Sequence, residues 1–427
     1  MNQLERQVLD AIDVEGMISF LCRLIAVPSL DGDESPAQNL VAEQMERSGL
    51  AVDKWEIDLE ELRRHPAFSE EVARAEALGV VGRLGRDSDT RSLILNGHVD
   101  VVPAGDPGKW AHPPWQGTLT DRHVFGRGSA DMKGGLCCAL FAAKAIRDAG
   151  VELVSPLLVQ SVVGEEDGGT GTLAALLRGH RASAAIIVEP TDLEVVTAQA
   201  GAMNFRLTVP GKAAHGSMRA EGVSALEKFL PLHSAIFELE RARNSQVEHP
   251  LLVEYELPYP ISIGTLRAGN WASSVPEELC CEGRFGVAVG EAPEDARKLF
   301  EQAIRESSQA DPWLRHHPPI VEWWGGQFDP AETPVDHPIV DSLRCAVQEL
   351  TSTQPRVKGV TYGADMRLLV NEGRIPTVLF GPGDVKVAHQ TDEHVPIDDL
   401  LIAVRSLALV AMRYCGVGEN ATRRGRS

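Results

Sequence analysis

His98 and Asp100 stand two residues apart at the end of an apolar run, residues 92–97. On an extended chain, residues two apart share a face. A carboxylate at 100 can therefore accept from one imidazole nitrogen of His98, leaving the other as a bare lone pair for a metal. Four further sets of donors follow the same rule of apolar run, then donor. Asp131 lies in the glycine-rich run 126–135, Glu165 and Glu166 follow residues 157–163, Glu189 follows 184–188, and His389 follows the turn Gly381-Pro382-Gly383. Mixed imidazole and carboxylate donors suit zinc, cobalt or manganese. The set is too large for one tetrahedral site, and two ions sharing a carboxylate would use it fully. A water held between two such ions becomes hydroxide near neutral pH, and the ions polarise a carbonyl. Of Glu165 and Glu166, one can be a ligand and the other a spare base that passes a proton to a leaving nitrogen. Singly, each signal is weak: paired Glu usually make a solvated turn, and a lone His is usually a surface residue. The recurrence of donors after apolar runs carries the reading.

These donors need a frame that gathers strand ends. Extended runs are expected at 52–59, 80–84, 93–96, 157–163, 184–188 and 377–380. Helices are expected at 4–26, 35–49, 133–149, 170–178, 337–350 and 396–414, with Ser35-Pro36 as a start signal. The order strand, acid, helix, strand, acid is the βα rhythm of a mostly parallel sheet. Ligands bind such sheets off the carboxyl ends of the strands. From about 199 the texture changes to strand, helix, two strands and helix: 201–209, 222–243, 261–267, 279–289 and 293–309. The expected fold is thus α/β, with a mostly parallel catalytic domain in two parts, 1–199 and 312–427, and an inserted α+β (βαββα) domain at 200–311. Residues 60–76 are charged and read as a surface excursion. The Trp-bearing stretches 110–115 and 323–324 are open to core packing and to a specificity surface.

With 61 acidic against 41 basic residues, the formal net charge is −20, which disfavours nucleic acid as a partner. Basic residues at 423–426 read as a frayed tail. No run approaches eighteen apolar residues, so no membrane span is expected, and the first residues lack a signal-peptide layout. The seven cysteines show no C-x-x-C spacing and read as free thiols in a reducing cytoplasm; the sequon Asn420-Ala421-Thr422 carries no meaning there. The glycine-rich run 126–135 lacks the spacing of a phosphate-binding loop.

Over residues 20–410 the chain resembles the two-zinc aminoacylase, deacetylase and carboxypeptidase family, which includes acetylornithine deacetylase, succinyl-diaminopimelate desuccinylase and carboxypeptidase G. The matching motifs are Gly97-His98-Val99-Asp100-Val101-Val102-Pro103, the run 126–135, Gly164-Glu165-Glu166, Glu189-Pro190-Thr191, Gly211-Lys212-Ala213-Ala214-His215-Gly216-Ser217, and Gly381-Pro382-Gly383 with Ala388-His389. The resemblance implies two divalent ions. His98 and Glu189 would hold one, Glu166 and His389 the other, and the Asp131 carboxylate would bridge them, aimed by a cis peptide to Met132. Glu165 would be the general base and Asp100 would orient His98. The inserted domain would be a lid and dimer surface, with His215 acting across subunits on the oxyanion. Arg284 would hold a substrate carboxylate. The chain departs from the family at Ser273-Ser274-Val275-Pro276, where relatives carry an Asn. The nearest Asn, Asn270, is the candidate for that substrate contact.

The expected reaction is hydrolysis of the amide of an N-acyl amino acid or related small acid. The alternatives are a dipeptidase or carboxypeptidase, and a hydrolytic deaminase of a small aromatic acid using the same site. A metal-binding scaffold without activity is disfavoured, because every ligand position and the spare Glu are filled.

Overall fold

The computed structural model describes residues 1–86 and 91–418. The basic tail at 423–426 and the sequon at 420–422 lie outside the described residues. The chain divides into two compact units. The first comprises 1–197, 332–358 and 364–427; the second comprises 198–331 and 359–363.

Four strands at the heart of the first unit run parallel: Leu157–Val162, Leu93–His98, Ala184–Ile187 and Thr377–Leu379, in that spatial order. Every residue of these strands is buried. Strands covered on both faces read as continuous apolar runs rather than alternating ones. That is why the four were visible in the sequence, and why the donors that follow them were too. Antiparallel strands Leu78–Leu84 and Ala51–Glu56 extend the sheet on the side of Leu157–Val162.

Helix Gly134–Asp148 packs beside helix Ile397–Cys415, and twelve of its fifteen residues are buried. Its approach to the sheet depends on Gly135. A Cβ there would stand 2.0 Å from the carbonyl oxygen of Val188, the residue before Glu189.

The second unit is a four-stranded antiparallel sheet in the order Ile261–Ala268, Glu278–Val287, Gly201–Pro210, Ile320–Phe328. Helices Ala225–Asn244 and Pro293–Ala310 contribute Phe229, Leu232, Ile236, Phe300 and Ile304 to one apolar core with the inward residues of the sheet. Strand Gly201–Pro210 shows the alternation of a sheet with one covered face.

Four expectations differ from the structure. The inserted region was expected to end at 311, whereas the second unit runs to Ala331. Strand Ile320–Phe328 joins its sheet against Gly201–Pro210, and long-range pairing leaves no local mark in sequence. The single helix expected at 4–26 is two, Gln3–Asp10 and Val14–Ile25, because Asp13 caps the second by accepting from the N–H of Gly16. Ser35 is the first helical residue rather than the cap, and Glu34 precedes it. The charged segment 60–76 is not wholly a surface excursion, since Arg74 is buried. Trp110 is also buried, with its indole N–H donating to the Ala104 carbonyl, so this Trp packs inside.

Gly135→Ala is expected to lower the thermal midpoint by several degrees, because a backbone atom must move and overpacking costs about 1–3 kcal/mol. A midpoint within about 1 °C of the unsubstituted protein would contradict the close approach.

Candidate metal centre

The four parallel strands end on one rim, and the donors follow from it. His98 closes its own strand. Glu165 and Glu166 come after Leu157–Val162, Glu189 comes two residues after Ala184–Ile187, and His389 lies on the segment after Thr377–Leu379. Asp131 arrives from the loop that opens helix Gly134–Asp148.

The geometry turns on the Asp131 carboxylate. Its Oδ1 lies 3.1 Å from His98 Nε2, and its Oδ2 lies 3.4 Å from His389 Nε2. One carboxylate thus presents a different oxygen to each imidazole. Around His98 Nε2, Glu165 Oε2 and Glu189 Oε1 each stand at 3.9 Å. Around His389 Nε2, Glu166 Oε1 stands at 3.0 Å. His98, Asp131 and Glu166 form one set whose donor atoms lie within 4.8 Å of one another, and His98, Glu165 and Glu189 form a second. The Asp131–Met132 peptide is cis, as the resemblance implied.

His98 Nδ1 lies 3.0 Å from the backbone carbonyl of Asp100 and 3.8 Å from its carboxylate. The expectation that the Asp100 carboxylate accepts from His98 is therefore corrected: the backbone carbonyl of Asp100 takes the bond, while its carboxylate stays 3.8 Å away. A carbonyl can only accept, so Nδ1 carries a hydrogen, and Nε2 is the nitrogen that faces Asp131 and becomes free for a metal once deprotonated. The Asp100 carboxylate instead accepts from the N–H of Glu166 at 2.9 Å.

Burial and crowding set the charges. Burial opposes a charged His98, but Asp100, Asp131, Glu189 and Glu165 together hold its imidazolium well above the usual histidine range. Hydrogen bonds to the Asp131 and Glu166 carboxylates raise His389 to about 10. Burial raises Glu165 and Glu189 well above the carboxylate range; Glu189 adds to the first and Asp131 to the second. Burial, then Asp131, raises Glu166. Burial opposes the ionised form of Asp131, but hydrogen bonds from His389 and His98 hold it below the carboxylate range.

Three buried charged groups not anticipated from the sequence lie around this centre. Glu393 is fully buried. One of its oxygens accepts from the backbone N–H of Ala130 at 3.0 Å and of Asp131 at 3.1 Å, and the other accepts from Arg127 at 2.5 Å. Lys133 is fully buried, donates to the carbonyls of Leu24 and Val27, and is pushed down to about 7 by burial. Asp365 is fully buried and raised to about 6 by burial.

His215, Asn270 and Arg284 belong to the second unit. His215 is exposed, and its Nδ1 accepts from the Ser217 N–H at 3.2 Å, which leaves the hydrogen on Nε2. Ser274 bridges His215, and Asn270 lines a cavity of about 630 Å³ with Arg267, Trp271 and Ser274. Arg284 is largely buried and donates to the Thr361 carbonyl at 2.8 Å.

Residues 94–413 match the model of peptidase family M20/M25/M40. The chain belongs to this family. It is thereby a metal-dependent hydrolase of amide bonds, and the donor set fits that class. The N-formyl-4-amino-5-aminomethyl-2-methylpyrimidine deformylase of Bacillus subtilis (strain 168) is 29% identical over 88% of this chain and 89% of its own length. The acetylornithine deacetylase of Pectobacterium carotovorum subsp. carotovorum is 31% identical over 76% of this chain and 80% of its own length. Among solved structures, the di-peptidase Dug1p of Saccharomyces cerevisiae matches with a TM-score of 0.77 at 14% identity, covering 96% of this chain and 98% of that one. The metallo-carboxypeptidase Sso-CP2 of Sulfolobus solfataricus matches with a TM-score of 0.73 at 16% identity, covering 97% of this chain and 100% of that one. These two show the shared fold.

Metal ligands bind in their deprotonated forms. Because His98 and His389 are held protonated above the histidine range, metal uptake is expected to release protons and apparent affinity to rise with pH between 6 and 9. Calorimetry in buffers of different ionisation enthalpy checks this. Affinity that is flat or falling over that window would contradict it.

Proposed function

We propose that this chain removes a small N-acyl group, formyl or acetyl, from a small amine or amino acid, using two divalent ions, zinc foremost. The observation that carries this reading is the Asp131 carboxylate, with one oxygen toward His98 and the other toward His389. The choice of acyl group rests on the deformylase and deacetylase relatives. His98 and Glu189 would hold one ion, Glu166 and His389 the other, and Asp131 both. Bound there, divalent ions supply an acidified water and polarise the amide carbonyl.

The rest is work for the chain's own residues. Glu165 stands beside His98, where it can take a proton from water and deliver it to the leaving nitrogen. Asp100 fixes the Glu166 N–H and, through its carbonyl, the ring of His98. Arg284 and Asn270 are assigned to the substrate's polar end, and a guanidinium fork suits a carboxylate. We place the protein in the cytoplasm, which agrees with seven unpaired cysteines. We assign the second unit as lid and dimer surface, with His215 of one copy serving the other: its Nε2–H is an exposed donor of the kind an oxyanion needs.

Metal-loaded protein assayed against N-formyl, N-acetyl and N-succinyl amino acids and dipeptides tests the reading. Acyl amino acids should be cleaved faster than dipeptides; preference for dipeptides would favour a peptidase. Glu165→Gln should keep both ions and lose about 10²–10⁴ in rate, whereas Glu166→Gln should lose metal. The reverse pattern would exchange the two roles.

Mixing Glu165→Gln with His215→Ala checks the action across subunits. Restored activity, toward about a quarter of the unsubstituted level at equal mixing, follows if each mixed dimer has one intact site. No restoration despite subunit exchange would place His215 in its own chain's site.

A further inference from the structure

The loop that carries Glu165 and Glu166 is gripped from behind by a buried cation. Arg74, from the charged segment that precedes strand Leu78–Leu84, has a side chain with 0% exposure. Its Nη1 donates to both oxygens of Asp167, at 2.9 and 2.7 Å. Its Nε and Nη2 both reach Glu34 Oε1, at 3.0 and 2.7 Å, and Nη2 also reaches Asp31 Oδ1 at 3.1 Å. Asp167 Oδ2 accepts in addition from the N–H groups of Val72 at 3.0 Å and Glu71 at 3.3 Å. Asp167 is the residue after Glu166. At the other end of the same loop, a Cβ on Gly164 would stand 2.7 Å from Arg74 Nη2. The guanidinium therefore packs on the loop's entry and binds the side chain at its exit.

We propose that Arg74 is a positioning residue for the metal centre: by clamping Asp167 against Glu34 and the 71–72 backbone, it fixes the Glu165–Glu166 peptide so that Glu166 meets His389. The inference rests on the dinuclear reading above and extends it to a residue outside 94–413, the stretch the family model matches. Three features make the clamp specific. The guanidinium spreads its donors at fixed angles over three carboxylates, Nη1 on Asp167, and Nε and Nη2 on Glu34 and Asp31, which the ammonium of a lysine cannot match. Glu166 is also held by the Asp100 carboxylate through its N–H, so the loop is fixed at two successive residues. Finally, the hydrogen bonds of Arg74 go to Glu34, Asp31, Asp167 and the Val72 carbonyl. It reaches the centre through the loop and not by touching the donors.

The test is a Co2+ titration of metal-stripped protein, read by visible absorption and by dialysis for stoichiometry, with circular dichroism as the measure of folding. The unsubstituted chain should take up two ions. In Asp167→Asn the ion at Glu166 and His389 should bind about 10–100-fold more weakly, the usual loss when a group supporting a ligand is removed, while the other ion binds as before. Arg74→Lys should weaken the same step. The double variant should be no weaker than the worse single one, since both remove one clamp. If Arg74→Lys fails to fold, Asp167→Asn decides alone. Binding of both ions within about twofold of the unsubstituted chain in folded Asp167→Asn overturns the role of Arg74, and so does equal weakening of both steps. An unsubstituted chain that takes up fewer than two ions overturns the dinuclear reading, and this inference with it.

Discussion

Asp131, Glu165, Glu166 and Glu189 crowd against two imidazoles at the rim of a parallel sheet. Two carboxylates with oxygens within 4.8 Å repel by about 3 kcal/mol even at an effective dielectric of 20. Burial removes the water that would otherwise soften this. Such a cluster persists only when protons or cations neutralise it, and the raised Glu165, Glu166 and Glu189 carboxyls are the proton answer. Divalent cations are the other answer, and the split orientation of the Asp131 oxygens suits two of them.

The scaffold holds this charge in place by engaging its backbone. Glu393 accepts the N–H groups of Ala130 and Asp131, Asp100 accepts that of Glu166, and Lys133 pins the end of helix Val14–Ile25 beside the Asp131 loop. Side chains that hold ligand loops through the backbone can stay buried and leave the metal-facing oxygens free. Placement of ligands to a fraction of an ångström needs such support. The parallel strands bring the donors to one rim; these buried groups set their aim.

The sequence made the centre legible because His98, Glu165, Glu166 and Glu189 close or follow strands that are buried on both faces, while Asp131 stands in a glycine-rich run that opens a helix. The run 184–187 is apolar without interruption and 157–162 carries no charge, so the first charged residue after each stands out. His98, Asp131, Glu166, Glu189 and His389 lie together. The supporting groups were illegible for the opposite reason. Arg74 sits in a stretch dense with charge, and Glu393 follows polar residues; only tertiary packing distinguishes a buried Arg or Glu from a solvated one. The role of Asp100 was half legible. Its proximity to His98 was visible, but whether carbonyl or carboxylate makes the contact depends on how the chain turns after the strand. The end of the second unit was misplaced because strand Ile320–Phe328 is claimed by a partner more than a hundred residues earlier.

The central claim is that one carboxylate serves two ions. Anomalous diffraction at the zinc edge, from crystals of the zinc-loaded protein, addresses it directly. The account predicts two anomalous peaks about 3.5–4 Å apart, one on the Oδ1 side of Asp131 beside His98 and the other on the Oδ2 side beside His389. A single peak at full occupancy, or two peaks of which only one touches Asp131, would contradict it.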